Sequence, residues 1–174
     1  METKGRLKVI IANVKNILQC ITIRKIAMES PEAGRMAGSK EEESRWTNDQ
    51  WKEFFFGSGT ITVLAIDEKT SQSVGIGMAT PRKKQKDYFI RGVYVVPEFR
   101  GKIVFSMFNK GKEEIAKIKG PNTLRIATGN KNKIVRKISE RFGFKKVSKV
   151  KQFLLTDKGH RKYIIGCLMM EFKL

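Results

Sequence analysis

The chain has 174 residues, with 36 Lys and Arg against 17 Asp and Glu, one His, two Cys and 40% hydrophobic residues. That length closes a single hydrophobic core, and the patterned apolar runs exclude wholesale disorder. No apolar run approaches the roughly 18 residues of a membrane span, no secretory signal opens the chain, and Cys20, Cys167 and His160 form no metal-type spacing. The expectation is one very basic cytoplasmic domain over residues 1–174, with two buried free thiols, no metal and no membrane contact.

Leu7–Ala12 suits a first strand. Asn13 can cap a helix carrying Val14, Ile17, Leu18 and Ile21 at helical spacing. A polar stretch, Ser30–Arg45, leads to Thr47 or Asn48, either of which can cap a short helix through Phe56. Trp46, Trp51 and Phe54–Phe56 read either as core and lid packing or as the lining of an acceptor slot. From Gly57 the texture turns to strands. Thr60–Ile66 and Ser73–Ala79 form a hairpin around Asp67–Thr70, and Tyr88–Val96 follows a basic turn. Residues 102–118 return to helical spacing, with Val104, Met107, Phe108, Ile115 and Ile118 on one side. Leu124–Thr128 is a short strand. Residues 131–142 form a helix with Ile134, Val135, Ile138 and Phe142 inward and Gly143 at its end. Val147–Leu155 and Tyr163–Phe172 close the chain as strands. The order β-α-α-β-β-β-α-β-α-β-β predicts an α/β (α+β) fold, a mixed sheet with helices on both faces.

The charge is unevenly spread. Residues 29–53 carry seven acids and four bases, whereas residues 131–151 carry nine bases and Glu140 as the lone acid. A second basic knot, Arg82, Lys83, Lys84 and Lys86, follows Pro81. A net charge of +19 concentrated this way attracts polyanions, nucleic acid above all; solvated lysine-rich faces are the alternative. Within 131–142, Lys133, Arg136, Lys137 and Arg141 fall on the face left to solvent, and Lys145 and Lys146 extend it. With Arg82, Lys83 and Lys84 they are the candidate nucleic-acid contacts, for tRNA or DNA.

The most informative stretch is Val95-Val96-Pro97-Glu98-Phe99-Arg100-Gly101-Lys102. A strand stops at Pro and turns at once into a helix, aiming free backbone N–H groups at one point, an anion site. This segment resembles the V-x-P-x-x-R-G signature of the GNAT superfamily of N-acetyltransferases, met here by Val95, Pro97, Arg100 and Gly101. A second signature, N-x-x-A-x-x-L-Y-x-K-x-G-F, is partly met by Asn132, Val135, Ile138, Glu140, Arg141, Gly143 and Phe144. Upstream, Glu29–Ala33, Glu41–Glu43 and Asn48–Trp51 resemble a stretch common among small-amine acetyltransferases of this fold.

The resemblance covers nearly the whole chain, and it implies a mostly antiparallel sheet of about seven strands. It further implies that the strand ending at Val95–Val96 splays from Leu124–Thr128, leaving a cleft over the helix starting near Lys102. In that cleft, acetyl-CoA (or another acyl-CoA) would lay its pantetheine arm along Val93, Tyr94 and Val95 as an added strand. Its pyrophosphate would sit over Arg100, Gly101, Lys102, Ile103, Val104 and Phe105. Asn132 is either a contact near the thiol end or a helix cap. Ser139 stands where the family commonly has the Tyr that reprotonates the leaving thiolate. Two departures matter. Ile103 and Phe105 put bulk where the family's loop has glycines that permit close backbone approach. The preceding strand offers Arg91 and Gly92 where a carboxylate base often stands, with Asp87 the nearest acid. His160 is the one side chain that titrates near neutrality.

Three functions compete. The first is an acyl-CoA-dependent N-acyltransferase whose acceptor amine is carried by or bound to nucleic acid, since a nucleobase or aminoacyl amine needs little base catalysis. The second is an inactive GNAT-like module that binds nucleic acid or protein. The third is an ordinary small-amine or protein-lysine acetyltransferase. A homodimer is compatible with each.

Overall fold

Two capping boxes start the N-terminal helical layer. Asn13 Oδ1 accepts the Lys15 N–H at 2.9 Å while Asn16 Oδ1 accepts the Asn13 N–H at 3.1 Å. Thr47 and Gln50 exchange the same pair of bonds at 3.3 and 2.8 Å. Each box satisfies two N–H groups that a helix start would otherwise strand. The computed structural model describes residues 6–31, 40–120, 123–129, 133–157 and 160–174. In chain order these form β1 (Leu7–Ile11), α1 (Ile17–Glu29), α2 (Lys40–Glu43), α3 (Asn48–Phe56), β2 (Ile61–Asp67), β3 (Gln72–Arg82) and β4 (Asp87–Val95). Then follow α4 (Lys102–Ala116), β5 (Thr123–Gly129), α5 (Lys133–Arg141), β6 (Lys145–Asp157) and β7 (His160–Lys173). The expected order holds, with the short α2 added inside the polar stretch.

The seven strands form one sheet in the order β1-β2-β3-β4-β5-β7-β6. Every neighbouring pair is antiparallel except β4 and β5. Helices α1 and α3 cover one face, where Cys20, Ile23, Ala27, Trp51, Phe54 and Phe55 pack on Leu64, Ile76, Met78 and Tyr94. Helix α4 covers the other face, with Ile103 and Met107 on Val63, Ala65, Val74 and Val95, and Ile115 on Leu124 and Met170. The aromatic cluster is core: Trp51 and Phe55 stack at 5.5 Å and are 4% and 0% exposed. It lines no slot.

Arg24 of α1 and Glu43 of α2 form a bidentate ion pair (3.0 and 2.6 Å) with both side chains buried. Arg24 also lies over the Phe54 ring. The acid-rich segment is thereby fastened to the layer, through a geometry good enough to offset much of the desolvation.

Three packing expectations are corrected. Val14 and Leu18 face solvent, because residues 14–16 form a 3-10 turn and shift the helical phase, so Cys20, Ile23, Arg24 and Ala27 are buried instead. Ile134 is exposed, because α5 buries the stripe around Ser139, with Val135, Ile138 and Phe142 half-buried beside it. Ile118 lies beyond the end of α4 and is exposed.

Candidate active site

A gap opens in the middle of the sheet. Strands β4 and β5 pair over three positions only: Tyr88 with Leu124, Phe89 with Arg125 and Ile90 with Ile126. Beyond them β4 stays bonded to β3 through Val95 and β5 stays bonded to β7 through Gly129, so the two strands diverge. A bulge accompanies the divergence. Gly92 and Val93 together oppose the single residue Gly77, and Gly92 takes φ +60°, which a Cβ pressing on Met78 would oppose. The splay expected from the motifs is present.

The inner edge of β4 is open where the pantetheine is expected. The Val96 N–H is spent on the Val74 carbonyl (2.9 Å), so the alternation of the strand turns the Val95 backbone toward the gap. Arg100 Nε donates to that Val95 carbonyl at 3.0 Å. Arg100 therefore joins the end of β4 to the start of α4, a structural tie beyond the phosphate role expected of it. Val93 is half-exposed on the edge, whereas Tyr94 and Val95 are buried with their side chains in the two cores.

Helix α4 begins at the mouth of the gap. Its N-cap, Gly101, has φ +100°, with no side-chain cap and no acid in the first turn. The glycine is required by that backbone angle, and a Cβ there would meet open space. Uncapped N–H groups at a helix start carry partial positive charge and suit a diphosphate. The two bulky residues behave differently. Ile103 is buried in the core with Met107, so its side chain does not block the loop, a correction to the expectation. Val104 is half-buried beside it. Phe105 is 50% exposed and leans on Phe142 at 5.3 Å.

One buried hydroxyl that the motifs missed lies on the splayed part of the sheet. Thr128 stands on the part of β5 that β4 no longer pairs, on the same side as Leu124 and Ile126. It is 4% exposed, and its hydroxyl has no hydrogen-bond partner. Ser73 carries the other such hydroxyl among the described residues. A buried orphan hydroxyl costs about 1–3 kcal/mol until something meets it. Only the splay, a feature of topology, distinguishes Thr128 from any strand threonine.

Ser139 is buried on the inward face of α5, where its carbonyl accepts the Phe142 and Phe144 N–H groups at 3.0 Å. Asp87 lies at the far end of β4, held by Arg82 (2.7 Å) and Arg125 (3.3 Å). Arg91 donates to Thr80 Oγ1 and the Phe54 carbonyl. Asn132 and the side chain of Lys102 lie outside the described residues, as does the His160 side chain. On the α1 side, a cavity of about 350 Å³ is lined by Ile26, Glu29, Ser30, Pro31, Tyr94 and Pro97. Glu29 of that lining pairs with Lys40 at 3.0 Å. Among the described residues no cluster of His, Cys, Asp and Glu could hold a metal, and no helix is long and apolar enough to cross a membrane.

The basic residues divide into separate groups. Lys133, Lys137 and Arg141 are exposed on α5, while Arg136 is half-buried beside Glu140 at 3.9 Å. Lys83 and Lys84 sit on the β3–β4 turn, at the opposite end of β4 from Val95, and Lys145 and Lys146 open β6 level with Glu171 and Met170. Arg82 is no free cation: it grips Asp87 through two bonds (2.8 and 2.7 Å) and covers Phe89.

No protein-family model matches the sequence, and no curated protein matches it. Solved structures do. An acetyltransferase of the GNAT family from Streptococcus pneumoniae superposes with a TM-score of 0.70 at 15% identity, over 97% of this chain and 100% of that one. A ribosomal-protein-alanine N-acetyltransferase from Brucella melitensis gives 0.68 at 20% identity, over 96% and 99%. Arabidopsis thaliana NAA60 in complex with acetyl-CoA gives 0.66 at 12% identity, over 97% and 99%. At such identities the likeness is one of architecture, and it is nearly complete: this chain has the fold of the GNAT acetyltransferases.

Proposed function

We propose that this chain is an acyl-CoA-dependent N-acyltransferase with acetyl-CoA as its donor and an amine as its acceptor. The observation that carries the reading is the divergence of β4 from β5 beyond Ile90 and Ile126, ending at a helix start without a side-chain cap. The residues present fit the donor. Val93–Val95 offer an open strand edge, the first turn of α4 offers N–H groups to a diphosphate, and Thr128 offers a buried hydroxyl. When bound, acyl-CoA supplies a thioester carbonyl as the electrophile.

The chain's own residues then have three tasks. Arg100 fixes the Val95 carbonyl and so the line of the β4 edge. The cavity beside Tyr94 and Pro97, on the opposite face from α4, admits the acceptor. Proton removal falls to solvent or to an acceptor of low basicity, since Asp87 is held by Arg82 and Arg125 at the far end of β4 and Arg91 puts a cation where a carboxylate base often stands. An acceptor amine carried by or bound to nucleic acid meets that requirement and accounts for the net charge of +19.

Titration calorimetry with acetyl-CoA and CoA tests the reading. Saturable binding of one molecule per chain supports it. No heat with either ligand makes the chain an inactive binding module, the reading that Phe105 at the first turn of α4 favours.

A further inference from the structure

The strand ends opposite the gap share a single electrostatic design. Arg82, Asp87, Arg125, Glu171 and Lys173 form a continuous ionic row across β3, β4, β5 and β7. Both carboxylates of that row are consumed by three internal cations, and Glu114 is taken by Lys117 at 2.7 Å. Lys83, Lys84 and Lys86 on the β3–β4 turn, Lys119 before β5, and Lys145 and Lys146 at the start of β6 are all exposed around it. None of these six has an ion-pair partner among the described residues. The turn is closed by its own backbone: Gln85 N–H donates to the Arg82 carbonyl at 3.1 Å, Lys86 N–H to the Lys83 carbonyl at 3.3 Å, and Lys86 takes φ +53°.

From β3 to β6 the row crosses four interstrand spacings, roughly 20 Å, the axial advance of about six phosphates along one strand of a duplex. Among the residues whose exposure is described no aromatic is exposed beside the lysines, the exposed large apolar residues nearby being Ile118 and Val147, so these offer no platform on which single-stranded bases could stack. From this end to Val95 the length of β4 is roughly 25 Å. We propose that this lysine row docks the backbone of a nucleic-acid duplex and anchors the chain there, away from the gap. The acceptor amine is then reached at a distance from the anchored backbone. The inference rests on the nucleic-acid part of the proposed function and corrects its geography, since α5 is not the main contact.

The test is fluorescence anisotropy of the full chain with a DNA duplex of about 20 base pairs, at salt between about 50 and 200 mM. Six phosphate contacts predict a log–log slope of about −5, a fall of about a thousandfold over that range. K83E/K84E/K86E should bring the slope to about −3 and weaken binding alike for unrelated sequences. The neutral K83Q/K84Q/K86Q should shift it the same way by less, and all variants should bind acetyl-CoA as the parent does. A larger loss from K133E/K137E than from the turn variant would overturn the location. Absence of duplex binding, or binding only to anionic lipid vesicles, would overturn the anchor while leaving acetyl-CoA binding, and with it the acyltransferase reading, untouched.

Discussion

Thr128→Val separates a cofactor-binding residue from a merely buried one, because it should move stability and affinity in opposite directions. The hydroxyl is 4% exposed on the splayed part of β5 and has no partner. Valine keeps the shape and the β-branch and removes the polar atom. In the free chain the substitution abolishes a desolvated, unbonded hydroxyl, a gain of about 1 kcal/mol at the low end of that penalty. For a chain of this size that raises Tm by about 2–4 °C. In the complex it deletes a hydrogen bond worth about 0.5–1.5 kcal/mol, which weakens CoA by about two- to twelvefold. Scanning fluorimetry without ligand and calorimetry with CoA read the two effects separately. A variant less stable than the parent, with unchanged CoA affinity, would show that the hydroxyl serves the fold and would remove Thr128 from the site.

Arg100→Ala should weaken CoA by about tenfold or more in calorimetry, and Arg100→Lys should recover little, since an ammonium lacks the planar fork that reaches the Val95 carbonyl at 3.0 Å. Glu43→Ala should destabilise by about 3–5 kcal/mol in urea titrations, because it strands the buried Arg24 charge, whereas an apolar replacement of both partners should be milder. Burial pushes the Cys20 thiol up to about 12, outweighing its own backbone contact, which lowers it. In a Cys167→Ser background it should therefore react with a disulfide probe at pH 8 only as fast as the chain unfolds, and rapid labelling under native conditions would refute its burial. Burial pushes the Glu171 carboxyl up, but Lys173 and Arg125 overcome that and hold it below its ordinary value. Its contribution is thus present above the ordinary carboxylate pKa and lost as pH falls through the lowered one, so Glu171→Gln should flatten the acid limb of Tm against pH.

The fold was legible because its signals are local and agree with one another. Proline and glycine at 97 and 101 end β4 and start α4, and the apolar runs of β2 and β3 flank a short polar turn that joins them as a hairpin. The errors came where phase depends on a neighbour. A 3-10 turn at 14–16 rotated α1 and exposed Leu18, and α5 turned Ser139 inward in place of Ile134. In the site, the splay and the helix start followed from motif order, but their chemistry did not. Arg100 is drawn to a carbonyl, Ile103 drops into the core, and Thr128 matters only because its strand loses a partner. The charge map was partly legible. Composition marks the lysines, but only the register across β3, β4, β5, β7 and β6 shows which of them share one end of the sheet.

Hydrogen–deuterium exchange of the full chain with and without acetyl-CoA tests the central claim most directly. Protection confined to Val93–Val95, residues 101–105 and the Ala127–Gly129 end of β5 is the predicted result, with the lysine row unchanged. Protection elsewhere, or none at saturating ligand, would contradict the assignment of the gap as the acyl-CoA site.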